Sequence, residues 1–317
     1  MAGACLWLAV PAEATFPGRN GVLAYQSLAA QPAAPPAPAG IWTVRPDGSH
    51  RQALVRGRAY LEDPAWSPDG RRVVYTRWKW DSRGFRDGRP GVWIVNADGR
   101  ARRRLFANGF APSWSPDGRH IALLRNAGGA RELWIVDTRK GSKVRIAAST
   151  GAEVAEWSPD GSIIAYATQA SYLADGAVWT VGPDGSAPRV LAALPHGEAA
   201  SISWAPDASA LVFGLVRLFY DCSYGCSTTY SVARVERDSG AVRTLVPEVR
   251  YDRVGQPVWS PDGASISYCR DDTGPHRPGY DRWAMRPDGT GRHYVSPSGC
   301  GADWQRRPHL HKALPAR

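Results

Sequence analysis

Short apolar runs separated by tight polar turns make up nearly the whole chain. Val73-Val74-Tyr75, Val92-Trp93-Ile94-Val95 and Ile121-Ala122-Leu123-Leu124 are of this kind, and runs of this length bounded by Gly, Pro and Asp read as strands. No long segment places apolar residues at helical spacing behind a plausible cap, so neither a helical nor an α/β fold is expected. One pentapeptide organises the pattern. Trp66-Ser67-Pro68-Asp69-Gly70 returns almost unchanged at Trp114 to Gly118, Trp157 to Gly161 and Trp259 to Gly263, with a weaker copy from Trp204 to Ala208. Each copy ends one apolar run and precedes another, which makes it a hairpin. Proline presets φ at the first central position of a type I turn, Asp suits the second, and Gly adopts the left-handed conformation that closes the hairpin. Ala208 replaces that glycine in the weaker copy. An Ala held there costs about 1 kcal/mol, so this hairpin is expected to use another turn.

The tryptophans at 66, 114, 157, 204, 259 and 304 recur every 43 to 55 residues, the length of a four-stranded propeller blade. Within a period, strand A ends in the Trp, strand B follows the turn, and strand C carries an aromatic. That aromatic is Trp42, Trp93, Trp134, Trp179, Tyr230 and Trp283 in successive repeats; these residues are expected to be core, filling the wedge between sheets. A second Asp-Gly turn, as in Pro183-Asp184-Gly185, leads to strand D. Residues 16–55 supply strands B, C and D without an A strand, and Gly301-Ala302-Asp303-Trp304-Gln305 at the other end supplies the missing one beside Gly21 to Tyr25. The expected fold is therefore all-β: a six-bladed β-propeller of four-stranded antiparallel blades, closed by the C-terminal strand pairing with the N-terminal blade. Closure removes the long free edge that would otherwise invite aggregation.

These hairpins and Asp-Gly turns resemble the TolB-like, or PD40, family of six-bladed propellers, over roughly residues 16–307. The motif is specific for fold and weak for function. The resemblance implies an exported protein. The family's type member places its propeller after a small α/β domain and works in a periplasmic complex with a peptidoglycan-associated lipoprotein; this sequence has no room for that domain, and stand-alone members are mostly exported proteins of unassigned activity.

The chain ends and the cysteines agree with export. Residues 1–15 hold an apolar run followed by Ala12-Glu13-Ala14, a pattern signal peptidase accepts, although the positive n-region is missing. They are read as a truncated signal segment, the alternative being no signal at all; residues 16–307 form the propeller and 308–317 a flexible tail. Four of the five cysteines, Cys222, Cys226, Cys269 and Cys300, suit an oxidising compartment. Cys222 with Cys226 would tighten one loop. Cys269, ending a B strand, and Cys300, in the next D-to-A loop, would meet on one face and pin the last blade to the closing one. Four free thiols are the alternative. No stretch is long enough to span a membrane, and a soluble monomer, periplasmic or secreted, is expected.

The formal charge of +10 comes from 39 Lys and Arg against 29 Asp and Glu. Almost all the cations are Arg and are spread through every repeat, as on a solvated surface, so a nucleic-acid partner is not expected without a recognition motif. Strand alternation puts the Pro-Asp-Gly turns on one face of the ring and the longer, variable B-to-C and D-to-A loops on the other, where binding groups usually sit. Two of those loops are aromatic, one with Trp78, Trp80 and Phe85 beside Arg83 and Arg86, the other with Phe219, Tyr220 and Tyr224. They offer a stacking platform for a sugar or a peptide aromatic, or else pack on one another to hold the loops down. His276, with Asp271 and Asp272, and His196, with Glu198, lie on the same face.

The pattern G-x-S-x-G is absent, as is an α/β-hydrolase domain, which excludes the propeller-peptidase architecture. No motif for a metal or cofactor appears, and none is expected. The function expected is an exported, non-catalytic binding or scaffold protein whose loop-rich face takes a protein or a cell-envelope glycan. The alternative is a propeller lyase or hydrolase using the loop-face His and acidic residues.

Overall fold

The computed structural model describes residues 16–27, 40–45, 49–57, 59–79, 89–128, 130–148, 150–170, 175–219, 227–250, 253–271, 280–296 and 302–307. Six four-stranded antiparallel sheets form the six blades of a propeller. Blade 2 shows the plan, with strands Tyr60–Trp66, Arg72–Trp78, Gly91–Asn96 and Arg103–Ala107 paired in chain order. Blades 3, 4, 5 and 6 begin with strands A Gly109–Trp114, Ala152–Trp157, Gly197–Trp204 and Val254–Trp259. Strands A contact one another around the ring and form the hub. Among the described residues there is no helix long and apolar enough to cross a membrane.

Blade 1 is composite, as the sequence implies. Arg19–Ser27, Gly40–Val44 and Gln52–Arg56 are completed by Ala302–Arg307, which pairs antiparallel with Arg19–Ser27 and sets Leu23 opposite Trp304 and Ala24 opposite Asp303. The approach is tight. A Cβ on Gly21 would fall 2.4 Å from the Gln305 carbonyl oxygen, so only glycine fits. Gln305 Nε2 donates to Gly70 O at 2.8 Å, which ties the closing strand to blade 2 as well. The incoming chain is anchored too. Gly18 N donates to Pro261 O of blade 6 at 2.9 Å, while Phe16 is buried with Ala65 and Trp114 of blades 2 and 3. The N-terminal segment thus passes across the turn-face end of the hub.

The Ser-Pro-Asp-Gly hairpins take the expected turn. Gly70, Gly118, Gly161 and Gly263 have φ between 66° and 75°, and each donates its N–H to the Ser three residues earlier. The Asp does more than suit its position: Asp69 Oδ1 accepts from Ser67 Oγ at 2.5 Å and from Arg71 N at 3.0 Å, and the other three copies repeat this pair of bonds. Against the desolvation that raises it, this bonding holds the Asp69 carboxyl below the ordinary range.

Two expectations need correction. The hairpin at Ala208 does not use another turn: Ala208 sits at φ 59° and donates to Ala205 O at 2.8 Å, as the glycines do. Asp207 accepts from both the amide and the hydroxyl of Ser209, at 3.0 and 2.7 Å, and these bonds with the strand pairing outweigh a strain of about 1 kcal/mol. The strand C aromatics, in turn, are only partly core. Trp42, Trp93, Trp134, Trp179 and Trp283 are half-buried, because blades splay apart with distance from the hub. Arginines cover four of them: Arg51 lies 4.6 Å from the Trp42 ring, Arg77 5.2 Å from Trp93, Arg125 5.4 Å from Trp134 and Arg270 5.6 Å from Trp283. The fully enclosed tryptophans are those of strand A, with Trp114 at 1% and Trp204 at 0% exposure.

Removing residues 299–317 should lower the melting temperature sharply, because blade 1 would lose its inner strand; an unchanged melt in calorimetry contradicts the closure. Ala208→Gly should be neutral to stabilising, by up to about 1 kcal/mol in a denaturant titration, since relief of strain competes with lost chain stiffness and a lost methyl contact.

Candidate functional site

The hub is built from the residue preceding each strand A tryptophan. Strand A is the inner edge of its blade, so its outward amides have no further strand to pair with. The neighbouring blade supplies a side chain instead. Trp157 N donates to Ser113 Oγ at 3.0 Å, Trp204 N to Glu156 Oε1 at 3.2 Å, Trp259 N to Ser203 Oγ at 3.3 Å and Trp66 N to Asp303 Oδ2 at 2.6 Å. Where that position is Ala65, the Trp114 indole donates to the Ala65 carbonyl at 3.1 Å. Glu156 and Asp303, on blades 4 and 1, are opposite one another in the ring. Both are enclosed, at 0% and 1% exposure. Desolvation pushes each carboxyl well above its ordinary pKa; for Glu156 repulsion from Asp303 adds to this.

A second arrangement runs along the loop-face ends of strands A, from blade 2 to blade 5. Trp78 Nε1 donates to Glu62 Oε1. The Trp78 ring lies 6.3 Å from Phe110, whose other neighbour is the Arg131 guanidinium at 4.9 Å. Arg131 Nη1 donates to Glu153 Oε2 at 2.6 Å. Glu198 Oε2 on blade 5 accepts from Ala170 N at 3.1 Å. Desolvation raises the pKa of Glu153 against the pull of Arg131, and desolvation together with repulsion from Glu153 raises that of Glu198. Beneath this arc, Thr76 Oγ1 donates to Asp63 Oδ2 at 2.8 Å and accepts from Ala111 N at 3.1 Å, linking blades 2 and 3. Asp63, Ala111 and Gln256 hold φ of 51° to 53° before prolines 64, 112 and 257. Each lies in a register shift of its strand A against strand B, between Glu62 and Ala65, Phe110 and Ser113, and Gly255 and Val258.

Of the residues singled out from sequence, Trp78 is the last of its strand and is 8% exposed, packed against Phe110. Trp80, Arg83, Phe85, Arg86, Tyr220, Tyr224, His276, Cys222, Cys226 and Cys300 lie outside the described residues. Cys269 is 5% exposed, opposite Gly255 and Arg282. His196 is joined to Asp175 rather than to Glu198: its amide donates to Asp175 Oδ1 at 2.8 Å and its ring Nδ1 lies 3.9 Å from the same atom, both side chains being more than half exposed. Among the described residues no group of three His, Cys, Asp or Glu is placed to hold a metal ion. Sequence reasoning reached Trp78 and Glu198 of the arc but missed Glu62, Arg131 and Glu153, and it missed the hub acids. The signal was present, since aligned strands A carry Glu62 and Glu153 four residues before the Trp, and Glu156 and Asp303 one residue before it.

The fold and hub now meet the comparisons with known proteins. The family model described as the TolB beta propeller domain, PD40, matches residues 41–273. The chain belongs to this family. The Tol-Pal system protein TolB of Anaeromyxobacter sp. (strain K) is 33% identical over 92 residues, which is 28% of this chain and 20% of that protein; the match therefore spans about a fifth of the length of that relative. Among solved structures, TolB from Acinetobacter baumannii aligns with a TM-score of 0.68 at 19% identity, covering 90% of this chain and 67% of the other. Oligogalacturonate lyase from Vibrio parahaemolyticus aligns with a TM-score of 0.53 at 12% identity, covering 82% and 71%. At these identities both show the fold alone.

The raised carboxyls set the sign of a pH effect. A native state that binds protons more tightly than the unfolded chain loses stability as pH rises from the ordinary carboxylate range through the raised value. Stability should therefore increase as pH falls from 8 toward about 5. Glu156→Gln, which keeps an acceptor for Trp204 N, should flatten part of that slope and be more stable than wild type at pH 8. Thermal melts across this range check it, and an unchanged slope refutes the raised state of Glu156.

Proposed function

We propose that this PD40 propeller is an exported, non-catalytic binding or scaffold protein that engages a protein or a cell-envelope glycan through its loop-rich face. The observation that carries this reading is the asymmetry of the two faces. On the turn face the hairpin acids are consumed by their own turns and the N-terminal segment crosses the hub. On the loop face, Glu153 and Glu198 stand at the hub rim with raised pKa values, ringed by B-to-C loops of unequal length. Similarity to a Tol-Pal system protein supports a role in assembly and a periplasmic or secreted location. Cys269 is disulfide-bonded, which favours pairing with Cys300 across the closing seam. The loop residues Trp80, Arg83, Phe85, Arg86, Tyr220 and Tyr224 supply the stacking and polar contacts in this reading, while Trp78 holds their base in place.

A lyase or hydrolase is the second reading. It is favoured by the coupled Glu153 and Glu198, a pair held toward the protonated form on the same face, and by the shared fold with an oligogalacturonate lyase.

The decisive comparison is a pull-down from the native envelope fraction with wild type and with Trp80→Ala/Tyr224→Ala, leaving the buried Trp78 intact. The double variant is expected to lose the captured partner while melting like wild type; equal recovery would remove the loop aromatics as the site. Incubation with a polyuronate should give no unsaturated product, and formation of one that disappears in Glu198→Gln would establish the second reading instead.

A further inference from the structure

The outer strand of blade 5 departs from the other five. Where strand D pairs with strand C, each of the other blades carries one register shift, whereas Val242–Arg250 of blade 5 carries two. Tyr230 lies opposite Val249 and Val232 opposite Val246, so Pro247 and Glu248 stand against Ser231 alone. Proline has no N–H to give to the ladder, and the extra residue bends the strand. Beside this bulge a cleft of about 220 Å³ opens in the outer part of the seam between blades 5 and 6.

The lining divides by chemistry. Val246, Pro247 and Val249 of blade 5 and Val254 of blade 6 make it apolar. Tyr268, Arg270 and Arg292, all of blade 6, supply its polar groups. Tyr268 is 3% exposed, and its hydroxyl has no hydrogen-bond partner among the described residues. Burial raises the pKa of this phenol against the pull of Arg292 and Arg270, so it stays protonated, a donor with both cations near it. Arg292 is fixed across the seam: Nε donates to Gly289 O at 3.1 Å and Nη2 to Leu245 O of blade 5 at 2.5 Å. Both acceptors are neutral carbonyls. Among the described residues Arg292 therefore has no ion pair, and its Nη1 is left without a partner.

We propose that this cleft binds a small apolar carboxylate, its apolar body against Val246, Val249 and Val254 and its carboxylate accepting from the Tyr268 hydroxyl and Arg292 Nη1. A buried hydroxyl without a partner costs free energy that an incoming acceptor recovers. A guanidinium bonded only to carbonyls keeps its full charge for an anion, and no lining residue is acidic. The volume exceeds the roughly 150 Å³ that accepts a benzene ring and falls short of the sites that take drug-sized ligands. One ring with a short acidic arm matches it. The cleft lies at the outer edge of the ring, whereas the arc of blades 2 to 5 follows the hub, so this inference does not depend on what the loop face binds.

The probe is hydrocinnamate, followed by saturation-transfer NMR and calorimetric titration, with its uncharged amide and phenyl phosphate as parallel arms. Wild type is expected to bind the carboxylate saturably and the amide at least about tenfold more weakly. Tyr268→Phe keeps the ring in place and removes only the hydroxyl, which should weaken binding by about threefold to tenfold. Arg292→Met should weaken it at least about tenfold. Val249→Phe fills the cleft while keeping every polar group and should abolish binding; it and Tyr268→Phe decide the matter if the methionine variant fails to fold. Equal binding by wild type and a folded variant, an amide that binds as well as the acid, tighter binding of phenyl phosphate, or no saturable binding in wild type would each overturn the proposal.

Discussion

The structure rests on the bond from a tryptophan amide at the inner edge of one blade to a side chain of the blade before it. An edge strand leaves N–H groups unpaired, and leaving them unpaired inside a hub would cost more than a net hydrogen bond returns. Ser113, Glu156, Ser203 and Asp303 meet that need by projecting the same short polar reach from the same position. Two of them are enclosed carboxyls, and burial raises their pKa above that of the same groups in an unfolded chain. Rigidity at the centre and sensitivity to pH thus have one origin.

The excess of arginine has a structural use. Arg51, Arg77, Arg125 and Arg270 lie over half-buried strand C tryptophans, covering apolar faces that the diverging blades leave open. Their long side chains bury stem and charge together against a ring. Arg282 stands apart from this group: it is enclosed at the blade 6 seam, and burial lowers its pKa to about 10.

The same repeat makes the two faces unequal. Each Ser-Pro-Asp-Gly turn satisfies its own polar groups within five residues, so that face repeats one closed structure. The opposite face receives the ends of strands A, whose Glu62 and Glu153 serve the adjoining Trp78 and Arg131, and it carries the connections whose lengths vary. A rigid wheel with one uniform and one variable side is suited to presenting contacts, which is how the binding reading and the family likeness agree.

The fold was legible in the sequence because its determinants are local. A turn tetrad, an alternating strand and a regular tryptophan spacing each act within a few residues, and their repetition made the blade count and the closure by Trp304 readable from one chain. The candidate site was legible only in outline. Whether Trp78 faces solvent depends on Phe110 from the next blade, and whether Ala208 is left-handed depends on two strands forcing one turn. The raised pKa of Glu156 comes first from burial at the hub, and Asp303, nearly 150 residues away on the opposite blade, adds repulsion. Period and turn chemistry were set by neighbours in sequence. Burial and charge state were decided only when distant segments met, because desolvation is a property of what surrounds a group in space.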